Sequence, residues 1–195
     1  MSPTPSLILA CSSPRVATLL RDAGFDFEVM PADLETEMDI EETPDGYVRR
    51  LAVLAVQVLS PCAGDRPILA AATIVTLDGQ LLTAPTTAAA ATQHMQALAG
   101  RDHVVTTAVC LSHVSEGARR QHTSVERTIV TMAPMTSEEI DWYVRSGEAD
   151  GVPGGYVIDK LASRFVVRLV GSPSNAAGVP IATVHQLWAE ARLPG

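Results

Sequence analysis

The stretch LILACSSPR, at residues 7–15, indicates how the chain begins to fold. Residues 6–10 are a short continuous run of mostly apolar side chains, which predicts a buried strand. Apolar residues then recur at helical spacing over residues 16–23, and Gly24 ends that pattern. The stretch therefore predicts a strand, a tight turn and a helix, in that order.

The turn between that strand and that helix is a candidate anion site. Ser12 or Ser13 can cap the helix, and Pro14 suits its first position. The first N–H groups of the helix then point outward, where a negative charge is favoured. Cys11 would lie beside these groups, so we expect a lowered thiol pKa and a candidate nucleophile. A small buried core thiol is the interpretation that we favour over a nucleophile.

Strand and helix patterns alternate along the rest of the chain. The turn signals Asp78-Gly79 and Glu116-Gly117 predict two hairpins. Residues 33–42 are an acidic loop with six carboxylates. The apolar periodicity predicts further strands at residues 25–30, 67–77, 104–114, 123–132 and 165–170, and helices at residues 43–58, 86–99, from 136 or 137 onward, and 180–191.

Composition bounds the class of protein. The chain has 195 residues, 47% of them hydrophobic, which suits a single globular domain with a large core over residues 1–195. Its 14 Lys plus Arg against 22 Asp plus Glu give a net charge of −8. This acidic balance argues against a nucleic-acid partner, which would need a clustered basic face.

Localisation and metal binding can also be addressed from the sequence. No apolar stretch approaches the roughly 20 residues that span a bilayer, and residues 1–6 lack a positive leader region, so we expect no membrane contact and a cytoplasmic protein. The three cysteines have no CxxC spacing. Four of the five histidines show no ligand-like spacing with one another, so no metal site is expected through them: His94, His113, His122 and His185.

Six sequence pieces, taken in order, resemble the Maf family of nucleotide pyrophosphatases. The opening stretch is similar to the family's I-L-A-S-x-S-P-R-R pattern. The other pieces follow in the family's order and approximate spacing: RLA at 50–52; LAGR at 98–101 with His103; SEEI at 137–140 with Tyr143 and SGE at 146–148; Gly154 with Tyr156 and Ile158; and GS at 171–172 with Ser174, Asn175, Gly178 and Pro180.

The resemblance implies both a fold and an activity. The implied fold is α/β and Maf/ITPase-like, a mixed sheet with flanking helices whose two lobes surround a central cleft, and family members are often homodimers. The implied reaction is hydrolysis of a nucleoside triphosphate to monophosphate and pyrophosphate, with magnesium or manganese as cofactor. The expected partner is therefore a small, nucleotide-like molecule.

Several family positions carry different residues in this chain. The carboxylate of the family's G-A-D-T piece falls at Ala72, and three family lysines fall at Ala55, Ala84 and Val152. Arginine outnumbers lysine 13 to 1 here, so simple drift would have produced arginine and kept the charge. We therefore expect the family reaction to be severely impaired and the divalent cation to be doubtful.

The residues that remain form a candidate site. Ser12, Ser13, Arg15, Arg101 and Asn175 are the candidate substrate or phosphate contacts, with a helix cap and a surface arginine as the alternative interpretation for Ser13 and Arg15. The candidate catalytic residues are Cys11, His103 and Asp159, the last in place of a family glutamine; a structural histidine and a solvated Asp159-Lys160 pair are the alternatives. Asp33, Glu35 and Glu37 fall where the resemblance implies an acidic residue near the base.

Three classes of function stay open at this point. The first is a residual nucleoside triphosphate pyrophosphatase. The second is an enzyme on the same fold recruited to other chemistry, including biosynthetic chemistry, because a fold does not determine a function. The third is a catalytically inactive paralogue that binds a nucleotide or a protein. The coordinated loss of charged residues favours the second or the third class.

Overall fold

The computed structural model describes residues 7–32, 34, 37–39 and 41–193. These contain the strands β1 (Leu7–Leu9), β2 (Phe27–Val29), β3 (Ile68–Leu77), β4 (Gln80–Leu82), β5 (Asp102–Ser115), β6 (Ala118–Met132) and β7 (Val166–Val170). They also contain the α-helices α1 (Pro14–Asp22), α2 (Pro44–Ala63), α3 (Ala88–Leu98), α4 (Ser137–Arg145), α5 (Pro173–Ala176) and α6 (Ile181–Glu190).

The strands form one mixed sheet with the order β2-β1-β3-β5-β6-β7, and β4 pairs with β3 at one end. Strand β1 is parallel to both β2 and β3. Strand β4 is antiparallel to β3, and β7 is antiparallel to β6. The expected α/β fold, a mixed sheet with flanking helices, is confirmed.

The chain divides into two compact units. The first contains the described residues within Met1–Ala72, Thr107–Glu126 and Gly178–Gly195, and the second contains Thr73–Thr106 and Arg127–Ala177. Strands β3, β5 and β6 each contribute residues to both units.

The core of the first unit follows from the amphipathic pattern of α1. Val16, Ala17 and Leu20 are the buried residues of that helix. They pack in one cluster with apolar residues of the strands and of α6: Leu7, Leu9, Leu69, Val109, Leu111, Val184 and Leu187. Spacing of three to four residues places side chains on one face of a helix, so this burial is what the sequence pattern predicts.

The second unit has its own core. Tyr143 of α4 and Met95 of α3 are fully buried there. They cluster with Met132, Tyr156 and Phe165. Helix α4 begins with a capping box, in which the Thr136 hydroxyl accepts from the Glu139 N–H at 3.2 Å and the Glu139 carboxylate accepts from the Thr136 N–H at 2.8 Å.

Both predicted hairpin turns are present. Asp78 and Gly79 have φ values of 50° and 78°, and Glu116 and Gly117 have values of 53° and 75°. Two consecutive residues with positive φ are the requirement of a type I′ turn, whose twist matches that of the flanking strands.

Two element boundaries differ clearly from the sequence prediction, and one short helix was not predicted. Helix α2 does not end before Pro61 but continues through it to Ala63, because proline in a last helical turn removes only one hydrogen bond. Strand β6 begins at Ala118 rather than at residue 123, and the polar run RRQH at 119–122 hides the start of its alternation. Helix α5 has four residues, too few to show a helical period.

In the part of the chain that the structure describes, no helix has both the length and the apolar character needed to cross a membrane.

Candidate functional site

The turn between β1 and α1 has the geometry that the opening stretch predicts. Ser13, not Ser12, is the N-cap: its Oγ accepts a hydrogen bond from the Val16 N–H at 3.4 Å, and Pro14 occupies the first helical position. Ser12 is exposed to solvent. Arg15 follows in the first turn of the helix and is half-buried. The backbone therefore presents a capped helix start, with Ser12 and Arg15 flanking the cap in sequence.

Cys11 lies at the base of this turn. Its Sγ accepts a hydrogen bond from the Ser13 N–H at 3.4 Å, and its side chain packs against the core of the first unit. Burial raises the pKa of the Cys11 thiol, and the Ser13 N–H only partly opposes that shift. The expected lowering of this pKa is therefore wrong, because desolvation of the thiolate outweighs stabilisation by the amide.

The first unit also contains two of the positions at which the sequence resemblance implies a charged family residue. Ala72 lies in β3 and is half-buried, whereas Ala55 lies in α2 and is buried. A methyl group can neither coordinate a cation nor donate to a phosphate. These two positions therefore contribute shape but no charge.

Arg50, in the RLA piece, is the anchor of a local polar network. Its Nε and Nη2 donate to the Glu42 carboxylate at 2.9 and 2.7 Å, and Nη2 also donates to the Glu37 carbonyl at 2.9 Å. This pairing lowers the pKa of Glu42 and raises that of Arg50. Sequence reasoning did not single out Arg50, although an arginine placed eight residues after an acidic run is a signal for such a pair.

An open depression of about 520 Å³ lies beside this ion pair. Asp39, Glu41, Glu42 and Arg50 line it. With three carboxylates and one paired guanidinium, its walls would repel a phosphate group. Asp33 and Glu35, which the resemblance places near the base, lie outside the described residues.

In the second unit, His103 is almost completely buried, with 2% of its surface exposed. Its Nε2 is 2.6 Å from the Tyr156 hydroxyl, and the two rings meet edge to face. Burial lowers the pKa of His103 to about 4, with a small opposing effect from Asp102, and burial raises the pKa of Tyr156. Both side chains are therefore neutral near pH 7, in a contact that fits the structural interpretation of His103.

Arg101 is exposed and forms an ion pair with Asp78, in the turn between β3 and β4. The neighbouring Asp102 accepts a hydrogen bond from the Thr131 hydroxyl. In this structure the Arg101 guanidinium is paired with the Asp78 carboxylate of the second unit. A phosphate would have to replace that carboxylate.

Asn175 is fully buried at the end of the short helix α5. Its Nδ2 donates to the Val105 carbonyl at 3.2 Å and to the Thr128 hydroxyl at 2.8 Å. Its backbone N–H donates to the Ser172 hydroxyl at 3.2 Å. Asn175 thus connects β5 and β6 to the segment before α5 through hydrogen bonds. The sequence did not predict this structural role.

Asp159 and Lys160 are both exposed. They precede a short 3₁₀ turn at Leu161–Arg164, where the Glu148 carboxylate accepts from the Leu161 and Ala162 N–H groups at 2.9 and 3.1 Å. The exposure fits the interpretation of a solvated pair. Ala84 and Val152, where the resemblance implies the other two lysines, are half-buried and bring no charge.

A divalent cation would need a set of oxygen ligands, mostly carboxylates. Across residues 7–193, apart from the undescribed positions, no group of three or more His, Cys, Asp or Glu side chains is arranged to hold a metal ion. The donor set present in the described residues therefore does not fit the cation that the resemblance implies.

Comparison with known proteins gives a consistent result. The family profile described as Maf-like protein matches residues 6–191. The chain is 36% identical over 191 residues to the dTTP/UTP pyrophosphatase of Vibrio parahaemolyticus, covering 97% of this chain and 99% of that protein. It is 35% identical over 181 residues to the protein of the same name from Syntrophus aciditrophicus, covering 93% and 87%, and 38% identical over 183 residues to the one from Nitrobacter hamburgensis, covering 90% and 86%.

Proposed function

This chain belongs to the Maf family, and from that membership we propose that it binds nucleoside triphosphates but hydrolyses them far more slowly than an active family member does. The relatives named dTTP/UTP pyrophosphatase make a pyrimidine nucleotide the first ligand to consider. The proposed product of the residual reaction is a monophosphate and pyrophosphate.

The observation that carries this proposal is the methyl group of Ala72, in β3, where the resemblance implies the family carboxylate. A carboxylate there would hold a metal ion or activate water, and alanine can do neither. No described cluster of acidic side chains takes over the task of holding a cation.

The absence of lysine at three further positions also lowers the expected rate of hydrolysis. Phosphoryl transfer depends on cations that stabilise charge spread over the phosphate oxygens. Loss of a single such contact commonly costs about 2.7–4 kcal/mol of transition-state stabilisation. With Ala55, Ala84 and Val152 at three lysine positions, the combined loss exceeds a factor of one hundred in rate.

Binding rests on groups that the chain retains. The start of α1 retains the Ser13 cap and the Arg15 side chain in the first helical turn, where the helix dipole favours an anion, although the N–H groups of Ser13, Val16 and Ala17 are already bonded within the turn. These features can hold phosphate without Ala72 taking part. The proposal therefore separates affinity, which we expect to be partly kept, from turnover, which we expect to be lost.

Thiol chemistry is the less favoured route to a recruited activity. A thiolate nucleophile needs a pKa near or below neutrality, whereas burial raises the pKa of Cys11. The half-buried thiol that accepts the Ser13 N–H fits a residue that shapes the turn. This observation favours a slow nucleotide hydrolase over a cysteine enzyme.

The test is a side-by-side assay with the Vibrio parahaemolyticus relative. Pyrophosphate release is measured from dTTP, UTP, CTP, ATP and GTP with magnesium or manganese. We expect turnover at least a hundredfold lower in this chain, and little recovery in Ala72→Asp, because the missing lysines act together with the carboxylate. Turnover close to that of the relative would refute the proposed impairment.

Binding is measured separately, by calorimetry with a non-hydrolysable dTTP analogue. Arg15→Ala should weaken binding about tenfold or more, because it removes a charge from the phosphate contact. Arg49→Ala, an exposed arginine of α2, is the matched control and should bind as the wild type does. Absence of binding in the wild type would contradict the proposed nucleotide affinity.

A further inference from the structure

His113 and His122 lie on the neighbouring strands β5 and β6. The two-residue turn at Glu116-Gly117 brings them to the same part of the hairpin although nine residues separate them. Their Nε2 atoms are 3.2 Å apart, and the ring planes are within 20° of each other. Both residues belong to the first unit.

We propose that His113 and His122 are the protein ligands of a transition-metal site, which takes zinc, nickel or copper(II) through the two Nε2 atoms. This site lies apart from the β1–α1 turn and does not depend on nucleotide hydrolysis. Imidazole nitrogen selects these metals over magnesium and calcium, which prefer oxygen ligands.

The distance between the two nitrogens suits a shared metal. Imidazole nitrogens lie about 2.0–2.1 Å from zinc, so two of them at a tetrahedral angle are about 3.3 Å apart. The observed 3.2 Å is close to that value. In the metal-free protein this contact needs one protonated and one unprotonated Nε2; on metal binding the proton of the donor ring moves to its own Nδ1, so that both Nε2 lone pairs face the metal.

The groups around the two rings favour the tautomers in which both Nε2 lone pairs can face a metal. The Glu190 carboxylate, on α6, lies 3.8 Å from Nδ1 of His122. An acidic neighbour on Nδ1 favours a proton there and leaves the lone pair on Nε2 for a metal, as in the carboxylate–histidine–metal arrangement. A backbone group of Val114 hydrogen-bonds to His113. At 3.8 Å Glu190 is too far for a hydrogen bond and acts on His122 through its charge, whereas Val114 can orient His113.

The exposure of the two histidines and the charges near them determine the expected metal affinity. His113 is buried, but the His122 side chain is 30% exposed, so water can reach the metal and complete its coordination. The nearby guanidinium groups of Arg119 and Arg120 oppose a bound cation. Arg119 is held away by its own partners, since it donates to the Gly64 carbonyl and to the Ser112 hydroxyl. Two protein ligands and two opposing charges indicate a site of moderate affinity.

The experiment uses the full chain without a polyhistidine tag. Zinc binding is measured by competition with a chromophoric chelator, and nickel or magnesium is added in parallel thermal unfolding assays. We expect one zinc per chain, and a rise in the midpoint of unfolding with zinc and nickel but not with magnesium, because only the folded hairpin brings the two rings together.

Variants identify the ligands. His122→Gln should weaken zinc binding at least tenfold, and Glu190→Gln should weaken it less, because it removes only a nearby negative charge. His185→Gln, an exposed histidine of the same helix α6, is the matched control and should bind as the wild type does. Cys62→Ser should also keep the site, which excludes the exposed thiol as its ligand.

Nitrogen NMR of the labelled histidines provides a readout that needs no ligand variant. Zinc should shift the Nε2 resonances of His113 and His122 together. Unchanged zinc affinity in His122→Gln, loss of binding in Cys62→Ser, or Nε2 shifts confined to another histidine would overturn the proposal.

Discussion

The three cysteines lie in different surroundings, and the difference determines their expected reactivity. Cys110 is fully buried in β5, Cys11 is half-buried beneath the β1–α1 turn, and Cys62 is exposed on the last turn of α2. Burial raises the pKa of both Cys110 and Cys11. Burial and the raised pKa both slow the reaction of Cys11 and Cys110, because only an accessible thiolate attacks an alkylating reagent.

We expect Cys62 to react first with iodoacetamide near neutral pH, Cys11 more slowly and Cys110 slowest. Pulse alkylation followed by mass mapping of the peptides ranks the three rates. Cys62→Ser should leave the Cys11 rate unchanged, which controls for indirect effects. Labelling of Cys11 ahead of Cys62 would show that the helix start activates the thiol despite its burial.

His103 makes stability depend on pH. Its pKa in the folded protein is about 4, whereas an unfolded chain holds a histidine pKa near 6.5. Between these values the unfolded state binds a proton that the folded state does not, so stability is complete above about pH 6.5 and falls as the pH approaches 4. Integrated to pH 4, this single group accounts for about 3 kcal/mol.

The measurement compares urea unfolding of the wild type and of His103→Gln at pH 7 and pH 4. The glutamine variant is less stable at pH 7, but it should lose about 3 kcal/mol less than the wild type over this interval. His94 and His113 also have lowered pKa values and shift stability in the same direction. Their contribution is common to both proteins and cancels, so equal losses would contradict the assigned role of His103.

At the scale of elements, the short 3₁₀ turn at Pro153–Gly155 depends on a close backbone approach. Gly154 has a φ of +77°, and a Cβ built on it would lie 2.8 Å from Cγ2 and 3.0 Å from Cβ of Val75. Val75 is 3% exposed and packs with Val105 and Val130, so it has little room to move. Both the conformation and the contact require glycine here.

Gly154→Ala should therefore destabilise the protein strongly. Gly151→Ala is the control, because Gly151 has a similar φ of +69° but nothing within 4 Å of its Cβ position. We expect the control to cost about 1–2 kcal/mol from backbone strain and the Gly154 variant about 1–3 kcal/mol more from overpacking. Denaturant unfolding measures both, and equal losses would mean that Val75 yields to the new methyl group.

The elements that could be predicted from sequence are those with a local cause. The Asp78-Gly79 turn signal and the capping pattern at Thr136 act within a few residues, and both appear in the structure. The continuation of α2 through Pro61 and the early start of β6 could not be predicted, because tertiary packing overrode a helix breaker and a polar run.

The same distinction applies to the candidate site. The Ser13 cap is a local property and was visible in the sequence. The raised pKa of Cys11 and the pairing of His103 with Tyr156 depend on burial and on a contact between residues 53 positions apart. Counting outward from the Glu116-Gly117 turn sets Arg120 opposite His113 and places His122 on the same face, two residues farther along β6, so their proximity could have been predicted.

At the scale of the whole molecule, the two compact units share their strands. The chain passes from one unit to the other within β3, β5 and β6. Each unit has its own tryptophan: Trp188 contacts Phe25 in the first, and Trp142 contacts Phe165 in the second. Continuous strands favour a single cooperative transition over two independent ones.

This expectation can be tested with one fluorophore at a time. Trp142→Phe leaves Trp188 to report on the first unit, and Trp188→Phe leaves Trp142 to report on the second. Within each variant, the fluorescence midpoint in urea should coincide with the midpoint from far-ultraviolet circular dichroism, because two-state unfolding gives the same transition by every probe. Separate midpoints would show that the units unfold independently.

The exposed Lys160 has a practical consequence for chemical labelling. It is the single lysine of the chain, because the other 13 basic residues counted with it are arginines. Amine-directed reagents will therefore find one side chain to modify, besides the α-amino group. A fluorophore or surface tether attached through Lys160 reaches a known position in the second unit, and it leaves the exposed thiol of Cys62 for an independent second label.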